Sequence, residues 1–374
     1  MNHLREIKSF DSLYGDIVFS EPLASLIKLP VMQRLRHVRL SNIDSLSLPG
    51  ISGISRYEHA VGVGYLCLNT SIIHSITEEK DRLCFLAASL LHDSAITPYG
   101  HLVEEAMQYG GENVDHEARW AVIRSDKEIE TGGVDLQIYC GRESGLRKWA
   151  FNVFKEDFEQ ALDLIFNIIN GKGGLGRCVK GDVDLDNLDN VVRAAYHMGI
   201  EVDRELPIRI AKGMSLSKDK GTLIFSRGVV EELKAWLELR RNVYNRFMLS
   251  EADFAGKIML IAATVSALKS NVLHREDWKL SDTKYMEKLC SCKEKTIQEP
   301  VKRWLLGDLW SLSKLIWFKG KRPDYKDLQK FSSLLSKELN RECVAYGIQD
   351  KRTREILLNL SDKSSITLGS KSDS

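Results

Sequence analysis

Apolar residues recur three and four positions apart over long stretches of this chain, and the whole sequence of 374 residues contains only seven prolines. That spacing is the period of an amphipathic α-helix. It predicts helices over residues 55–76, 80–93, 229–248 and 252–269, with further amphipathic segments over 300–318 and 326–347. Alternation at period two is weak, with candidates near 15–19 and 221–226. The sequence therefore predicts a mainly all-α fold with one small hairpin.

Charge and composition exclude several classes of protein. Lys and Arg total 53 against 52 Asp and Glu, so no basic track for nucleic acid is expected. No apolar run is long enough to span a bilayer, and the opening MNHLREIKSF lacks the apolar core of a signal peptide. Seven scattered cysteines without a CxxC pair are typical of reduced thiols. These features predict a cytoplasmic protein that does not bind membranes.

The chain is long enough for a large core with an appendage, at 43% hydrophobic content. We place a boundary near residue 275, which gives a core of residues 1–275 and a helical C-terminal region of 276–360. The polar stretch 361–374 is expected to be a disordered tail. The segment GKGGLG at 171–176 predicts a loop, and it is not a P-loop because no Gly-Lys-Ser/Thr follows.

Four residues form a candidate metal-binding set: His59, the adjacent pair His92 and Asp93, and the distant Asp186. Two imidazoles and two carboxylates suit a divalent metal that keeps open positions for water and phosphate. Neighbours on a helix point about 100° apart, so the His-Asp pair can reach one ion only at a helix end or bend. Residues 94–98 supply that interruption. Mn, Fe, Mg and Zn all remain open as the metal.

Four sequence blocks around these residues carry a family resemblance. They read FDSLYGDIVFSEPLASLIKLPVMQRLRHVRL, LPGISGISRYEHAVGVGYL, LLHDSAITPYGH and DVDLDNLDNVVRAAYHMGI. In order and spacing they resemble the HD-domain deoxynucleotide triphosphohydrolases, both the animal enzymes that add a SAM domain and stand-alone bacterial relatives. The resemblance runs from about residue 9 to residue 200 and more weakly through 229–269. No segment of this sequence resembles the SAM domain.

The resemblance implies roles for particular residues. His59, His92, Asp93 and Asp186 take the metal-ligand positions. Arg56 and Arg240 fall where the family binds phosphate, and a guanidinium fork suits a triphosphate. The acid-base group of the family falls at His101, Glu104 and His116. Relatives assemble as oligomers with activating nucleotides between subunits, so a homo-oligomer and a nucleotide activator are expected, and segments 300–347 could carry the contacts.

Several pocket positions depart from the family pattern. Ile96 replaces a histidine, and Asn187 replaces a phosphate-binding lysine. Asn190, Ala194 and Ser41 replace the residues that line and read the sugar. Since a lost hydrogen-bonding pair weakens discrimination most, the resemblance leaves the sugar and the number of phosphates open.

The sequence thus predicts a metal-dependent phosphohydrolase acting on nucleotides. Its expected reaction releases triphosphate and the nucleoside from a deoxynucleoside triphosphate, with Arg56, Arg240, Asn187 and Asn190 facing the substrate. One alternative is cleavage of another nucleotide, such as a monophosphate or a cyclic dinucleotide. A second alternative is a catalytically impaired nucleotide sensor that keeps the fold.

Overall fold

The structure, a computed structural model, describes residues 6–42, 45–111, 116–127, 145–219, 221–248, 250–317, 322–349, 351–352 and 354–369. Helices dominate it, which confirms the mainly all-α prediction. The α-helices are α1 Leu23–Ile27, α2 Pro30–Arg34, α3 Pro49–Ser52, α4 Arg56–Leu68, α5 Ser71–Ser75, α6 Glu79–Leu91, α7 His101–Tyr109, α8 His116–Arg124, α9 Leu146–Phe154, α10 Phe158–Ile169, α11 Gly173–Val179, α12 Leu185–His197, α13 Leu206–Lys212, α14 Val230–Met248, α15 Glu251–Lys269, α16 Asp282–Ser291, α17 Lys295–Leu305 and α18 Tyr325–Leu339. Short 3-10 helices cover Leu35–His37, Lys155–Asp157, Arg227–Val229 and Arg275–Lys279.

The predicted long helices are present. The stretch 55–76 contains α4 and α5, separated at Asn69 and Thr70, and 80–93 corresponds to α6. Ser55 is the N-cap of α4, because its hydroxyl accepts a hydrogen bond from the Glu58 N–H at 3.1 Å. Helices α14 and α15 match the two later predictions within two residues at each end.

Helix α4 lies between α6 and α12 and touches both closely. The contacts are made at glycines: a Cβ on Gly62 would come within 2.2 Å of the Asp189 carboxylate on α12. A Cβ on Gly64 would come within 2.6 Å of Leu90 on α6. Because only glycine allows these approaches, the sequence HAVGVG brings three helices together around His59.

Within the described ranges the strands form three antiparallel pairs, where the sequence predicted one hairpin. They are β1 Glu6–Asp11 with β2 Gly15–Ser20, β3 Met214–Leu216 with β4 Leu223–Phe225, and β5 Ile356–Asn359 with β6 Ser365–Leu368. The last pair contradicts the prediction of a disordered tail for residues 361–369. Ile356, Leu358 and Leu368 are buried there, so apolar burial and pairing hold this short segment.

Two other segments differ from their predictions. The glycine-rich stretch 171–176, predicted as a loop, lies partly in helix α11. The chain is closely packed there: a Cβ on Gly176 would meet Gly171 at 2.5 Å, and Cys178 and Val179 are buried. The segment 300–318 is helical only to Leu305, and α18 ends at Leu339 before the predicted 347. Local periodicity overestimated both helices because the residues that follow them leave large apolar side chains exposed, such as Leu306 at 73%.

Most buried hydrophobic side chains of the described residues belong to one core, and Leu40, Ile51 and Ile54 form a small second cluster. One cluster of buried side chains joins β2, the central helices, Trp278, Tyr285, Leu289 and β5–β6. No helix within the described ranges combines the length and apolar character needed to cross a membrane. The predicted boundary near residue 275 remains a proposal about folding units.

Candidate metal centre

His59 lies one turn into α4 and is almost completely buried. Its Nδ1 is 2.7 Å from Oδ2 of Asp189, a carboxylate that is itself fully buried. A carboxylate at this distance fixes the ring with the proton on Nδ1. The lone pair of Nε2 is therefore presented to the space between α4, α6 and α12.

His92 and Asp93 stand where α6 ends. His92 is the C-cap residue, and its Nδ1 is 2.8 Å from the carbonyl oxygen of Ser89. The Nδ1–H donates to that carbonyl, which again leaves Nε2 free to bind a ligand. The turn that begins at Ser94 lets both side chains face the same space, as the helix-end argument required.

The four predicted ligands converge. The Nε2 atoms of His59 and His92 are 3.2 Å apart, and Nε2 of His92 is 3.7 Å from Oδ2 of Asp93. Oδ1 of Asp186, at the start of α12, lies 3.1 Å from His59 Nε2 and 4.0 Å from His92 Nε2. His59, His92 and Asp93 each offer a ligand atom within 4.8 Å of the others. The Asp186 side chain is 36% exposed, so the cluster is open to solvent on that side.

The donor set fits a divalent cation. Two imidazole nitrogens bound to one ion at about 2.1 Å would lie roughly 3.0–3.4 Å apart, and the observed separation falls in that range. Burial alone would lower the pKa of His59, but hydrogen bonds to Asp186 and Asp189 raise it to about 10. Burial would likewise raise the pKa of Asp93, yet the charge of Arg56 and the neighbouring histidines lowers it. The centre therefore favours positive charge beside ionised carboxylates.

A second layer of buried charges supports the centre. Asp189 accepts two hydrogen bonds from Arg193, each at 2.9 Å, and Arg193 also contacts Glu58 at 2.6 Å and Asp11 at 3.0 Å. The charge pattern alone indicates a solvated face for the acidic run of Asp182, Asp184, Asp186 and Asp189. That interpretation is wrong for Asp184 and Asp189, which are 2% and 0% exposed. The signal that could have revealed Asp189 is its i,i+4 spacing to Arg193 among apolar residues.

The predicted acid-base residues His101 and Glu104 are in contact. Nδ1 of His101 is 2.6 Å from Glu104 Oε2, and Glu104 Oε1 accepts a hydrogen bond at 2.6 Å from Arg119. Burial opposes ionisation of Glu104, but His101 and Arg119 lower its pKa to about 2. His101 is 71% exposed, so its other ring nitrogen can reach a ligand. His116 begins α8, and its side chain lies outside the described residues.

Arg119 was not predicted and links two parts of the site. It is 5% exposed and donates to the carbonyl of Ala95 at 2.6 Å, in the turn after Asp93. One guanidinium therefore holds both the turn that follows Asp93 and the Glu104 carboxylate. No short-range spacing indicates this contact, because it joins α8 to residues more than a helix away.

Arg56 lies beside the proposed metal ligands, whereas none of the contacts described for Arg240 involves His59, His92, Asp93 or Asp186. Arg56 donates to Asp93 Oδ2 at 2.5 Å and to Asn42 Oδ1 at 3.0 Å. Among the described contacts, Arg240 donates to the carbonyl of Lys351 at 2.5 Å and lies over the ring of Tyr244. The geometry thus keeps Arg56 beside the candidate metal position, and a role of Arg240 in substrate binding stays a prediction.

The departures from the family pattern occupy distinct environments. Asn187 donates to both oxygens of Asp184, at 2.9 and 3.0 Å, so its amide is bound within its own helix start. Asn190 shares the helical face of Asp186, four residues away. Ile96 is 4% exposed and belongs to the core, Ser41 is 8% exposed, and Ala194 packs against the core.

The fold has been seen before in a solved protein. The crystal structure of a phosphohydrolase from Bacteroides thetaiotaomicron VPI-5482 aligns with a TM-score of 0.66 and 17% identity, and covers 97% of this chain and 93% of that one. No protein-family model matches the sequence. At this identity the alignment establishes the fold. The His-Asp pattern and the sequence similarities below support a relationship to the HD-domain phosphohydrolases.

Comparison with the sequences of individual proteins identifies relatives of this chain. The deoxynucleoside triphosphate triphosphohydrolase SAMHD1 of Xenopus laevis is 33% identical over 232 residues, which cover 51% of this chain and 34% of that protein. SAMHD1 of Danio rerio is 26% identical over 221 residues, covering 51% of this chain and 33% of that protein. An uncharacterized protein of Methanocaldococcus jannaschii is 22% identical over 271 residues, covering 71% and 51%. The match to the SAMHD1 proteins spans about a third of their length.

Proposed function

We propose that this protein is a metal-dependent phosphohydrolase acting on nucleotides, and that it hydrolyses deoxynucleoside triphosphates to the deoxynucleoside and triphosphate. The observation that carries the proposal is the convergence of His59, His92, Asp93 and Asp186, with the two histidine Nε2 atoms 3.2 Å apart. The SAMHD1 relatives, named for the triphosphohydrolase reaction, support the choice of substrate.

The four converging residues would hold a divalent ion. A bound ion of this kind supplies Lewis-acid activation of a phosphoryl oxygen and of water. Arg56 would neutralise phosphate charge beside the centre, since its guanidinium lies next to Asp93. Its Nε is buried and has no hydrogen-bond partner among the described residues.

His101 would give a proton to the leaving oxygen. Its Nδ1–H donates to Glu104, which Arg119 keeps ionised and in place. The opposite ring nitrogen, on an exposed side chain, is then the donor to the 5′ oxygen of the leaving nucleoside. Glu104 and Arg119 orient the imidazole, and His116 remains a proposed member of this group.

Product analysis tests the proposal. The purified protein is stripped of metal, reloaded separately with Mn²⁺, Fe²⁺, Mg²⁺ or Zn²⁺, and incubated with each deoxynucleotide before chromatographic separation. We expect nucleoside and triphosphate in equal amounts with at least one metal. Asp93→Ala should abolish metal retention and turnover, whereas Asp182→Ala, an exposed change in the acidic run, should retain both. Turnover by metal-free Asp93→Ala would refute the assignment.

A second candidate is hydrolysis of a different nucleotide by the same centre. The observation that favours it is the environment of the altered sugar-reading positions: Ala194 has no polar side-chain atom and packs against the core, and Ser41 is 8% exposed. Monophosphates and cyclic dinucleotides belong in the same assay. Faster cleavage of one of these than of any deoxynucleoside triphosphate would favour this candidate.

A third candidate is an impaired enzyme that senses nucleotides. Ile96 lies in the core and Asn187 is bound to Asp184, so neither adds positive charge to the centre. This candidate requires a nucleotide-induced rise in melting temperature without product under every metal condition.

We also propose that the protein forms a homo-oligomer and that a nucleotide activates it. Exposed apolar side chains in the C-terminal region, among them Leu306, Trp317 and Leu334, suit a subunit contact. Native mass measurement with and without deoxynucleotides tests both parts, and a monomer under all conditions would contradict them.

A further inference from the structure

A cavity of about 410 Å³ adjoins the proposed proton donor. It lies between one face of α7 and the residues that lead into α18, and its lining includes His101, Glu104, Gln108, Tyr109, Arg322 and Tyr325. A volume of this size is sufficient for a nucleoside-sized ligand. Because His101 belongs to the lining, any group held in the cavity is next to the proposed acid.

A partly buried polar cluster joins the far wall of the cavity to α7. The Glu105 carboxylate accepts hydrogen bonds from Arg322, from the Tyr109 hydroxyl and, at 2.6 Å, from the Tyr346 hydroxyl. Arg322 also donates to Tyr109 at 2.6 Å. The C-terminal region therefore builds a defined wall against α7.

Aromatic rings line the same space. The rings of Tyr109 and Tyr325 are stacked, with centroids 3.9 Å apart and planes 6° apart. Each comes from a different part of the chain, so the stack also joins the wall to α7. A planar heterocycle would stack on a ring face that this pair does not use.

The charge of the cavity decides which end of a nucleotide it suits. Glu104, Glu105 and Asp324 line it beside His101, and the guanidinium of Arg322 is already paired with Glu105. Phosphate would be repelled here, whereas Arg56 and the metal ligands offer positive charge at the centre. The cavity therefore suits the uncharged end of the substrate.

Hydrogen-bonding groups remain unused in the lining. In the described part of the chain, the Gln108 side chain makes no hydrogen bond, and Asp324 uses Oδ1 to cap α18 at 2.8 Å. Carboxylate oxygens accept from exocyclic amino groups and an amide can both donate and accept. These groups fit adenine, guanine or cytosine better than thymine.

We propose that this cavity is the leaving-group subsite, which holds an amino-bearing nucleobase of the substrate while the phosphates lie at the metal centre. The inference rests on the proposed function for the identity of the substrate. It also assigns the C-terminal region a part in substrate recognition, through Arg322 and Tyr325.

Direct binding of nucleosides tests the subsite without requiring turnover. Deoxyguanosine, deoxyadenosine, deoxycytidine and thymidine are titrated into the full chain by calorimetry and ligand-observed NMR, with inorganic triphosphate as the probe of the metal end. We expect the three amino-bearing nucleosides to bind more tightly than thymidine. Tyr325→Ala should weaken their binding by about tenfold, Tyr325→Phe should retain it, and neither should change the affinity for triphosphate.

The outcomes separate the two proposals. Nucleoside binding that depends on Tyr325 and Gln108, in a protein that hydrolyses nothing, would support the subsite and refute the reaction. Nucleotide hydrolysis with a KM unchanged in Tyr325→Ala and Gln108→Ala would support the reaction and refute the subsite. Absence of nucleoside binding, or equal binding of thymidine, would also overturn the subsite.

Discussion

Asp189 controls His59 through one hydrogen bond and is itself controlled by Arg193. The carboxylate is fully buried, 2.7 Å from His59 Nδ1 and 2.9 Å from two guanidinium nitrogens. Burial would raise its pKa, but Arg193 and His59 lower it well below the usual range. Asp189 therefore stays charged and holds the imidazole in the tautomer that offers Nε2 to a cation.

Replacing Asp189 by asparagine should weaken metal binding without removing a proposed ligand. We expect a 10–100-fold loss of affinity for the divalent ion, the usual effect of losing such a partner. Stability should fall as well, because Arg193 would keep a buried charge with fewer partners. Titration of the metal-free protein followed by calorimetry measures the first effect and thermal unfolding the second. Asp182→Asn, at a 71% exposed position in the same run, is the matched control and should change neither.

At the scale of secondary-structure elements, residues distant in the sequence hold the turn that follows α6 in place. The Arg34 guanidinium, 2% exposed, donates to the carbonyls of Ile96 at 2.6 Å and Trp278 at 2.8 Å. Asp282 accepts a hydrogen bond from the Tyr99 N–H at 2.8 Å. Residues 278–282 thus clamp the turn that follows Asp93, and the position of this proposed metal ligand depends on residues C-terminal to the predicted boundary.

Arg34→Met removes that clamp while keeping an apolar stem of similar length. Because several buried carbonyls would lose their donor, we expect a loss of about 2–4 kcal/mol in unfolding free energy. Amide exchange in residues 94–100 should rise more than in α4. Chemical denaturation and hydrogen-exchange mass spectrometry measure these effects. Arg36→Met, two residues away on an exposed side chain, should behave like the unchanged protein; equal stability of both variants would contradict the clamp.

Helical periodicity predicted α4, α6, α14 and α15 because the hydrophobic pattern of each helix is visible within its own residues. The hairpin β5–β6 could not be predicted in this way. Its strands have four residues each, and Leu360 beside them pairs with Phe225, far away in the sequence. Such long-range pairing overrides the polar composition from which a disordered tail was predicted.

The same distinction applies to the candidate site. The convergence of His59, His92, Asp93 and Asp186 was predicted from a spaced pattern, and contact between His101 and Glu104 follows from their i,i+3 spacing. Arg119 and Asp189 act across helices, and nothing in their local sequence names the partner. The sequence therefore indicates the proposed metal-binding and substrate-binding residues more readily than the residues that orient them.

At the scale of the whole molecule, the ion pairs of Glu58 and Glu104 predict how the stability of the fold falls at acidic pH. Burial opposes ionisation of Glu58, but hydrogen bonds and charge from His197, Arg193 and Ser12 lower its pKa to about 2. Glu104 is lowered to the same level by His101 and Arg119. Both folded-state pKa values lie below the unfolded value of about 4.5, so the unfolded chain binds protons first as pH falls.

The stability that these two groups contribute should be fully present above about pH 4.5 and disappear as pH falls toward 2. We expect each to be worth about 1–3 kcal/mol near neutrality. Denaturation of Glu58→Gln across this range should give a smaller loss of stability on acidification than the unchanged protein. Glu79→Gln, at a 76% exposed position, is the control and should follow the unchanged protein. A parallel profile for Glu58→Gln would contradict the assignment.

The main core makes a further prediction about the boundary near residue 275. Trp278, Tyr285 and Leu289 are 5%, 0% and 0% exposed and belong to the same buried cluster as the helices that carry the metal ligands. A chain that ends at residue 275 would expose that surface and lose the partners of Arg34. We expect it to aggregate or to show helical circular dichroism without a cooperative unfolding transition. A chain that ends at Gly369 keeps β6 and should unfold cooperatively. Cooperative unfolding and metal binding by the 1–275 chain would instead establish an autonomous core.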